Sequence, residues 1–269
     1  MHAMNGPDPS SVHAQAPSPA PGACWHRPDS LRSNNIDAIR FVLASSVILS
    51  HSFALPAGSD ATEPLHRFTG GQRTMGGLAV DLFFMLSGFL ISHSWATNPR
   101  PLPFLRKRAL RVYPAFIATS LLALLLFAPL SAKEGFGVLR GLDWISVAWN
   151  VLTLRDLRIP GAFPTNPFPG AMNGSLWSVR YEFWCYLGVM GLGLIPWVAR
   201  RRAVLLTLLV VSLAASLVYD ALNLRLNGGL LGRVVGEPIL WARLLPCFLA
   251  GMVFYRYRDA IPARPLLVL

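Results

Sequence analysis

Six runs of apolar residues, separated by polar or basic stretches, set the pattern of this 269-residue chain. They cover residues 36–55, 77–95, 112–130, 176–198, 203–222 and 239–255. A bilayer's hydrocarbon core, about 30 Å thick, takes about 20 residues of α-helix at a rise of about 1.5 Å each. The runs therefore predict an all-α fold, a polytopic transmembrane helical bundle of about six spans. A further apolar piece at 144–154 is too short to cross. It predicts an interfacial or re-entrant segment. Residues 1–35 are rich in Pro, Ala and Ser and lack hydrophobic periodicity, which predicts a disordered N-terminal tail. No short apolar core with a cleavage site precedes Ile36, so the first run is expected to act as an uncleaved anchor. The expected organisation is a tail over 1–35, a membrane domain over 36–258, and the start of a further, truncated segment over 259–269.

Composition agrees with the pattern. Hydrophobic residues make up 53% of the chain and charged residues 14%, against about 25% charged in a soluble domain. The net charge of +11 is carried mainly by loops between the apolar runs. That is the signature of membrane orientation, so nucleic acid is not an expected partner. With the N-terminus inside, thirteen Lys and Arg fall on the inner side and eight on the outer side. This predicts a cytoplasmic N-terminus. Cys24, Cys185 and Cys247 show no disulfide or metal-ligand spacing, and no metal site is expected.

Polar residues within the apolar runs carry the candidate chemistry, because an ionisable group in a span costs about 2.5–3.5 kcal/mol and needs a partner or a wet cavity. Arg40 and His51 are eleven residues apart, about three helical turns, and so share one face about 16 Å apart. Asp37 is in register to pair with Arg40. His51, Asp81 and Glu182 fall in one layer toward the outer side. A histidine beside a carboxylate is suited to taking a proton from a hydroxyl; locking helix register is the structural alternative. At the opposite surface, Arg106, Lys107, Arg108 and Arg111 form a basic run. Residues 107, 108 and 111 are expected to make one helical patch suited to phosphates, or to plain membrane anchoring. Ser87-Gly88, mid-span, suits close helix approach, with Ser87 also a candidate for contacting substrate. Trp177 and Tyr181 fit an interfacial aromatic belt and could stack on a sugar ring.

Four segments together resemble membrane-bound acyltransferase family 3, the O-acyltransferases of surface glycans and related compounds. They are IDAIRFVLASSVILSH, GLAVDLFFMLSGFLI, FLRKRALRVYP and NGSLWSVRYEFWCY. The first matches the family's basic residue, ten-residue interval and histidine at Arg40 and His51. The second matches its glycine, acidic residue and FF-x-L-SGF-L run at Gly77, Asp81 and Phe83 to Leu90. The third matches a basic cluster ending in Tyr-Pro, Arg106 to Pro114. The fourth matches LW-[ST]-L-x-x-E at Leu176, Trp177, Ser178 and Glu182. Phe183 departs from relatives with a second carboxylate after the glutamate.

The resemblance implies acyl transfer, usually acetyl, from acyl-coenzyme A as co-substrate to a hydroxyl of a carbohydrate or lipid-linked glycan in the cell envelope. No permanently bound cofactor is implied. It also implies a bacterial inner-membrane location, a catalytic role for His51, and essential arginines at Arg40, Arg106, Arg108 and Arg111. Direct attack on the thioester is the expected mechanism, with His51 aided by Glu182 or Asp81. The resemblance covers residues 36 to about 258, where relatives have about ten spans, so a C-terminally truncated member is expected. Two other readings fit the same charges. One is a non-enzymatic glycan or lipid transporter, and the other is an inactive truncated family member.

Overall fold

The computed structural model describes residues 35–197, 201–224, 226 and 229–260. The tail expected over 1–35 lies outside them apart from Asn35, as does 261–269 of the expected C-terminal segment. From Ile39 onward the described residues belong to one compact unit.

The regular structure of the described residues is helical. In chain order it comprises α1 (Ile36–Ala57), α2 (Pro64–Phe68), α3 (Met75–Thr97), α4 (Pro101–Leu122), α5 (Ala128–Ser131), α6 (Trp144–Leu152), α7 (Val179–Leu194), α8 (Arg202–Ala221), α9 (Gly229–Val235) and α10 (Pro238–Tyr257). Among the described residues there is no strand, and the one β-bridge pairs Arg158 with Ala171.

Five helical stretches are long and apolar enough to cross a membrane: Ile36–Ala57, Met75–Thr97, Pro101–Ser131, Arg202–Ala221 and Pro238–Ala260. The fourth expected span, 176–198, is divided. A 3₁₀ turn, Gly174–Ser178, leads into α7, whose 16 residues end at Leu194. At about 1.5 Å per residue α7 alone is about 24 Å long, shorter than the hydrocarbon core. The third span is longer than its apolar run. α4 begins at Pro101, takes in the whole basic run, and reaches α5 through a π-helical turn, Ala123–Phe127. There Ala128 N–H bonds back to Ala123 rather than Leu124. Pro129 follows directly, and its ring would crowd the carbonyl four residues earlier in a regular helix.

Two helices form the spine. A Cβ at Gly88 of α3 would run into the Phe248 carbonyl oxygen of α10, and one at Gly251 would run into that of Met85. The backbones touch because neither glycine carries a side chain, so the small pair in the second apolar run does permit close approach. Phe84, Phe104, Tyr181, Leu244 and Phe248 pack the core around this crossing. By contrast, α1 buries only Leu43 and Ser50 and turns Ile39, Phe41, Ile48 and Phe53 outward. An apolar face left open in this way is what a lipid-facing helix presents.

The Pro/Gly-rich stretch after α6 folds back on α5. Ile159 and Ala162 are buried with Leu124, Ala128 and Val138 in a second, smaller core. The piece at 144–154 is the nine-residue α6, with Trp144, Ile145, Trp149 and Leu152 exposed. It is too short to cross. It is tied to α4 by the Tyr113 hydroxyl, which donates to the Leu152 carbonyl at 2.8 Å.

Candidate active site

α1 and α3 meet where Ser50 packs on Gly76; a Cβ there would lie 2.9 Å from Ser50 Oγ. This docking brings His51 to the first turn of α3. The His51 Nδ1 sits 2.8 Å from the Val47 carbonyl oxygen one turn back. A carbonyl only accepts, so the proton is on Nδ1 and Nε2 is left as the basic nitrogen. The ring borders a cavity of about 170 Å³ shared with Asp60, Thr74, Trp177 and Arg243.

Arg243, from α10, is the residue that the sequence reading passed over. Its Nε–H donates to Asp81 Oδ1 at 2.8 Å, and Nη2 donates to the Gly77 carbonyl at 2.7 Å. The second oxygen of Asp81 accepts from Arg73 Nη1 at 3.4 Å. Asp81 therefore reaches the cavity through Arg243 and makes no hydrogen bond to His51. The available signal was the cost of an arginine in an apolar run. Arg243 lies outside the four segments that resemble the family.

Glu182 sits elsewhere. Its Oε1 accepts from Ser87 Oγ at 2.8 Å and from the Tyr186 hydroxyl. Ser87 lies ten residues beyond Gly77 on α3, about 15 Å along the axis. The single layer expected for His51, Asp81 and Glu182 is thus two layers, with Glu182 well below the histidine. Helical depth counted within each span could not register α7 against α3, because the 3₁₀ turn before α7 shifts its start.

The basic run is split as well. Arg106, Lys107 and Arg111 are exposed, whereas Arg108 is buried. Its Nη1 donates to the Phe104 carbonyl at 3.2 Å, and the guanidinium lies 4.1 Å from the Phe104 ring centre. The expected patch at 107, 108 and 111 does not form as one surface. Arg108 and Arg111 instead come within electrostatic range of Tyr186, which links the basic end to the Glu182 group. Arg40 is half-buried on α1, about 16 Å from His51 by helical rise.

The two aromatics also separate. Trp177 lines the His51 cavity. Tyr181 is fully buried, its hydroxyl accepts from Glu237 N–H at 2.8 Å, and its ring packs on Trp177 and Trp241. Tyr181 is a core residue and has no face for a sugar. Ser87 is likewise buried against Glu182 and does not reach the cavity.

A family model described as an acyltransferase domain, acyltransferase family 3, matches residues 33–269. The chain belongs to that family. Among curated proteins it is similar to an O-acetyl transferase of Shigella phage Sf6, 34% identical over 160 residues, 58% of this chain and 44% of the phage protein. It is also similar to nodulation protein 10 of Rhizobium leguminosarum bv. viciae, 29% identical over 220 residues, 77% of this chain and 57% of that protein. Acyltransferase MdmB of Streptomyces mycarofaciens matches at 29% over 114 residues, 42% of this chain and 27% of that protein. The matched region spans about half the length of these relatives, or less. No solved structure matches. Family membership and the five apolar helices identify a multi-pass membrane protein of the acyltransferase family.

Proposed function

We propose that the chain transfers an acyl group, acetyl foremost, from acyl-CoA to a hydroxyl of a carbohydrate or lipid-linked glycan at a bacterial inner membrane, with its N-terminus cytoplasmic. The observation that carries the reading is the state of His51. Its Nδ1–H is committed to Val47, and its Nε2 is basic at the edge of a small polar cavity in a chain of an acyltransferase family. The phage relative's name, O-acetyl transferase, supports acetyl and a hydroxyl acceptor.

In this mechanism the acceptor hydroxyl gives its proton to His51 Nε2 as its oxygen bonds to the thioester carbonyl carbon. The carbonyl electrons move onto oxygen. Collapse of that tetrahedral intermediate breaks the C–S bond, and the coenzyme A thiolate takes the proton back from the imidazolium. No cofactor is consumed or altered. Trp177 offers the cavity an aromatic wall for a sugar face. The exposed Arg106, Lys107 and Arg111 are placed to hold donor phosphates, with Arg40 as a further donor contact, while the inward Arg108 packs on Phe104. The Val47 bond gives His51 its tautomer without a carboxylate, so the roles expected for Asp81 and Glu182 as its direct aids are not part of the mechanism.

Acyl-CoA turnover in membranes containing the chain, with a panel of surface glycans as acceptors, tests the proposal. Activity that disappears in His51→Ala, at unchanged protein level, is expected. Equal turnover in the mutant would remove the reading, and a trapped acyl-enzyme would remove direct attack.

A further inference from the structure

We infer that Arg243 is the electrophilic partner of His51, the cation that meets the negative charge developing on the acyl carbonyl oxygen. Asp81 is then its positioning residue. This rests on the acyl-transfer reading above.

Three observations carry it. First, Arg243 is held from two sides and left open on a third. Asp81 takes Nε–H and the Gly77 carbonyl takes Nη2. Nη1 makes no hydrogen bond among the described residues, and Arg243 lines the cavity together with His51. A guanidinium fixed by two bonds with a free N–H pair is a preorganised donor, which needs little rearrangement when charge appears. Second, Arg243 is the one Lys or Arg among the described residues that line the cavity, and its ion pair is with Asp81 rather than with Asp60, the carboxylate on that lining. An anion forming beside His51 therefore has this one cation to meet. Third, the backbone makes room for the clamp. A Cβ at Gly77 would stand 3.0 Å from Arg243 Nη2, so the carbonyl that anchors the guanidinium is reachable because residue 77 has no side chain.

Each Asp81 oxygen is engaged by an arginine and neither bonds His51, so the carboxylate does not orient the histidine. Its effect on the reaction passes through the direction in which Arg243 points. Removing the carboxylate leaves the Gly77 anchor and allows the guanidinium to swing; removing the guanidinium deletes the donor.

The test is a comparison of kcat and KM in membranes for the wild type, Arg243→Gln, Arg243→Lys, Arg243→Ala, Asp81→Asn and His51→Ala. Losing one such donor costs about 10²–10³ in kcat in other acyl-transfer enzymes, so Arg243→Gln is expected to fall into that range with acceptor KM little changed. Asp81→Asn is expected to lose about tenfold in kcat, a fraction of the full donor effect. Arg243→Lys, which keeps the charge but not both anchors, should fall between the two. Added guanidinium should restore part of the activity of Arg243→Ala and none of that of His51→Ala. That rescue is a readout which a purely structural role would not move. Full kcat in Arg243→Gln alongside a dead His51→Ala would overturn this inference and leave the acyl-transfer reading standing. A raised acceptor KM with normal kcat would also overturn it, making Arg243 a binding group. A wild-type chain without turnover would overturn both. Should Arg243→Gln accumulate poorly, Arg243→Lys at full activity would be equally fatal.

Discussion

Two polar groups are embedded in this apolar bundle, and they solve opposite problems. At the His51 end, α1, α3 and α10 surround open volume with His51 and Arg243 each tied by part of its hydrogen-bonding capacity and free with the rest. About ten residues further along α3, the Ser87 and Tyr186 hydroxyls both donate to Glu182 Oε1, and the His51 cavity does not border them. Buried polar groups without partners are costly, so a site that keeps an unused base and an unused donor must hold them over a wet space. A site whose hydroxyls are both committed to one carboxylate oxygen has lost that freedom and gained rigidity. The comparison separates chemistry from scaffolding where residue type alone does not, since both groups contain a conspicuous ionisable side chain.

The strongest way to break that division is a pair of substitutions read by two assays. His51→Ala removes a general base worth typically about 10²–10⁴ in rate, while the lost Val47 bond lies within one helix and its removal should leave thermal unfolding in detergent nearly unchanged. Glu182→Leu should do the reverse in kind. It strands the Ser87 and Tyr186 hydroxyls at about 1–3 kcal/mol each, so unfolding should shift to clearly lower temperature. Glu182→Gln keeps an acceptor for both hydroxyls and should recover most of the loss. If Glu182→Gln kept wild-type stability yet abolished turnover, Glu182 would belong to the chemistry and the division would fail.

The spine offers a second, smaller test. Gly88→Ala places a methyl group against the Phe248 carbonyl, an overpacking expected to cost about 1–3 kcal/mol. Because the α3–α10 crossing sets the distance from Gly77 to Arg243, turnover should fall with stability. Turnover retained at full level in a destabilised Gly88→Ala would mean that the clamp is insensitive to the crossing beneath it.

How much of this was legible in the sequence follows from where the information sits. Apolar length fixed the helices, and Ser87-Gly88 announced the close crossing, because both are properties of a single segment. Arg40 and His51 fell on one helix for the same reason. The partners of Asp81 and Glu182 were not legible, because they depend on how far one helix slides along another. A 3₁₀ turn before α7 and a helix that starts eleven residues before its apolar run are enough to displace an expected layer. The inward turn of Arg108 was hidden too. In a run of basic residues, only packing against Phe104 distinguishes the buried member from its exposed neighbours.

Trp177 and Tyr181, four residues apart and chemically alike, sharpen the comparison at the scale of single side chains. Trp177→Ala should raise acceptor KM several-fold with a small effect on unfolding. Tyr181→Phe should leave KM alone and cost about 1 kcal/mol, the ordinary price of a lost hydrogen bond, here the one from Glu237 N–H. A KM effect from Tyr181→Phe would return that residue to the substrate surface.

The smallest expected effect lies outside the membrane helices. Asp143 caps α6 by accepting from Ile145 N–H at 3.1 Å and Ser146 Oγ at 2.6 Å. The Ser146 hydroxyl bond, with backbone bonds from Ser146 and Ile145, holds its carboxyl below the usual value for aspartate. With the folded value depressed, the cap's contribution is present above the unfolded value and is lost as pH falls through the folded one. Amide exchange at Ile145 and Ser146 should therefore quicken in acid relative to the rest of α6, and Asp143→Asn should remove that dependence. Since α6 is joined to α4 through Tyr113 and Leu152 and none of its residues lines the His51 cavity, turnover in Asp143→Asn should match the wild type across the same pH range. A change in the pH–rate profile would show that the exposed helix communicates with the cavity, and the separation between scaffold and site would have to be drawn elsewhere.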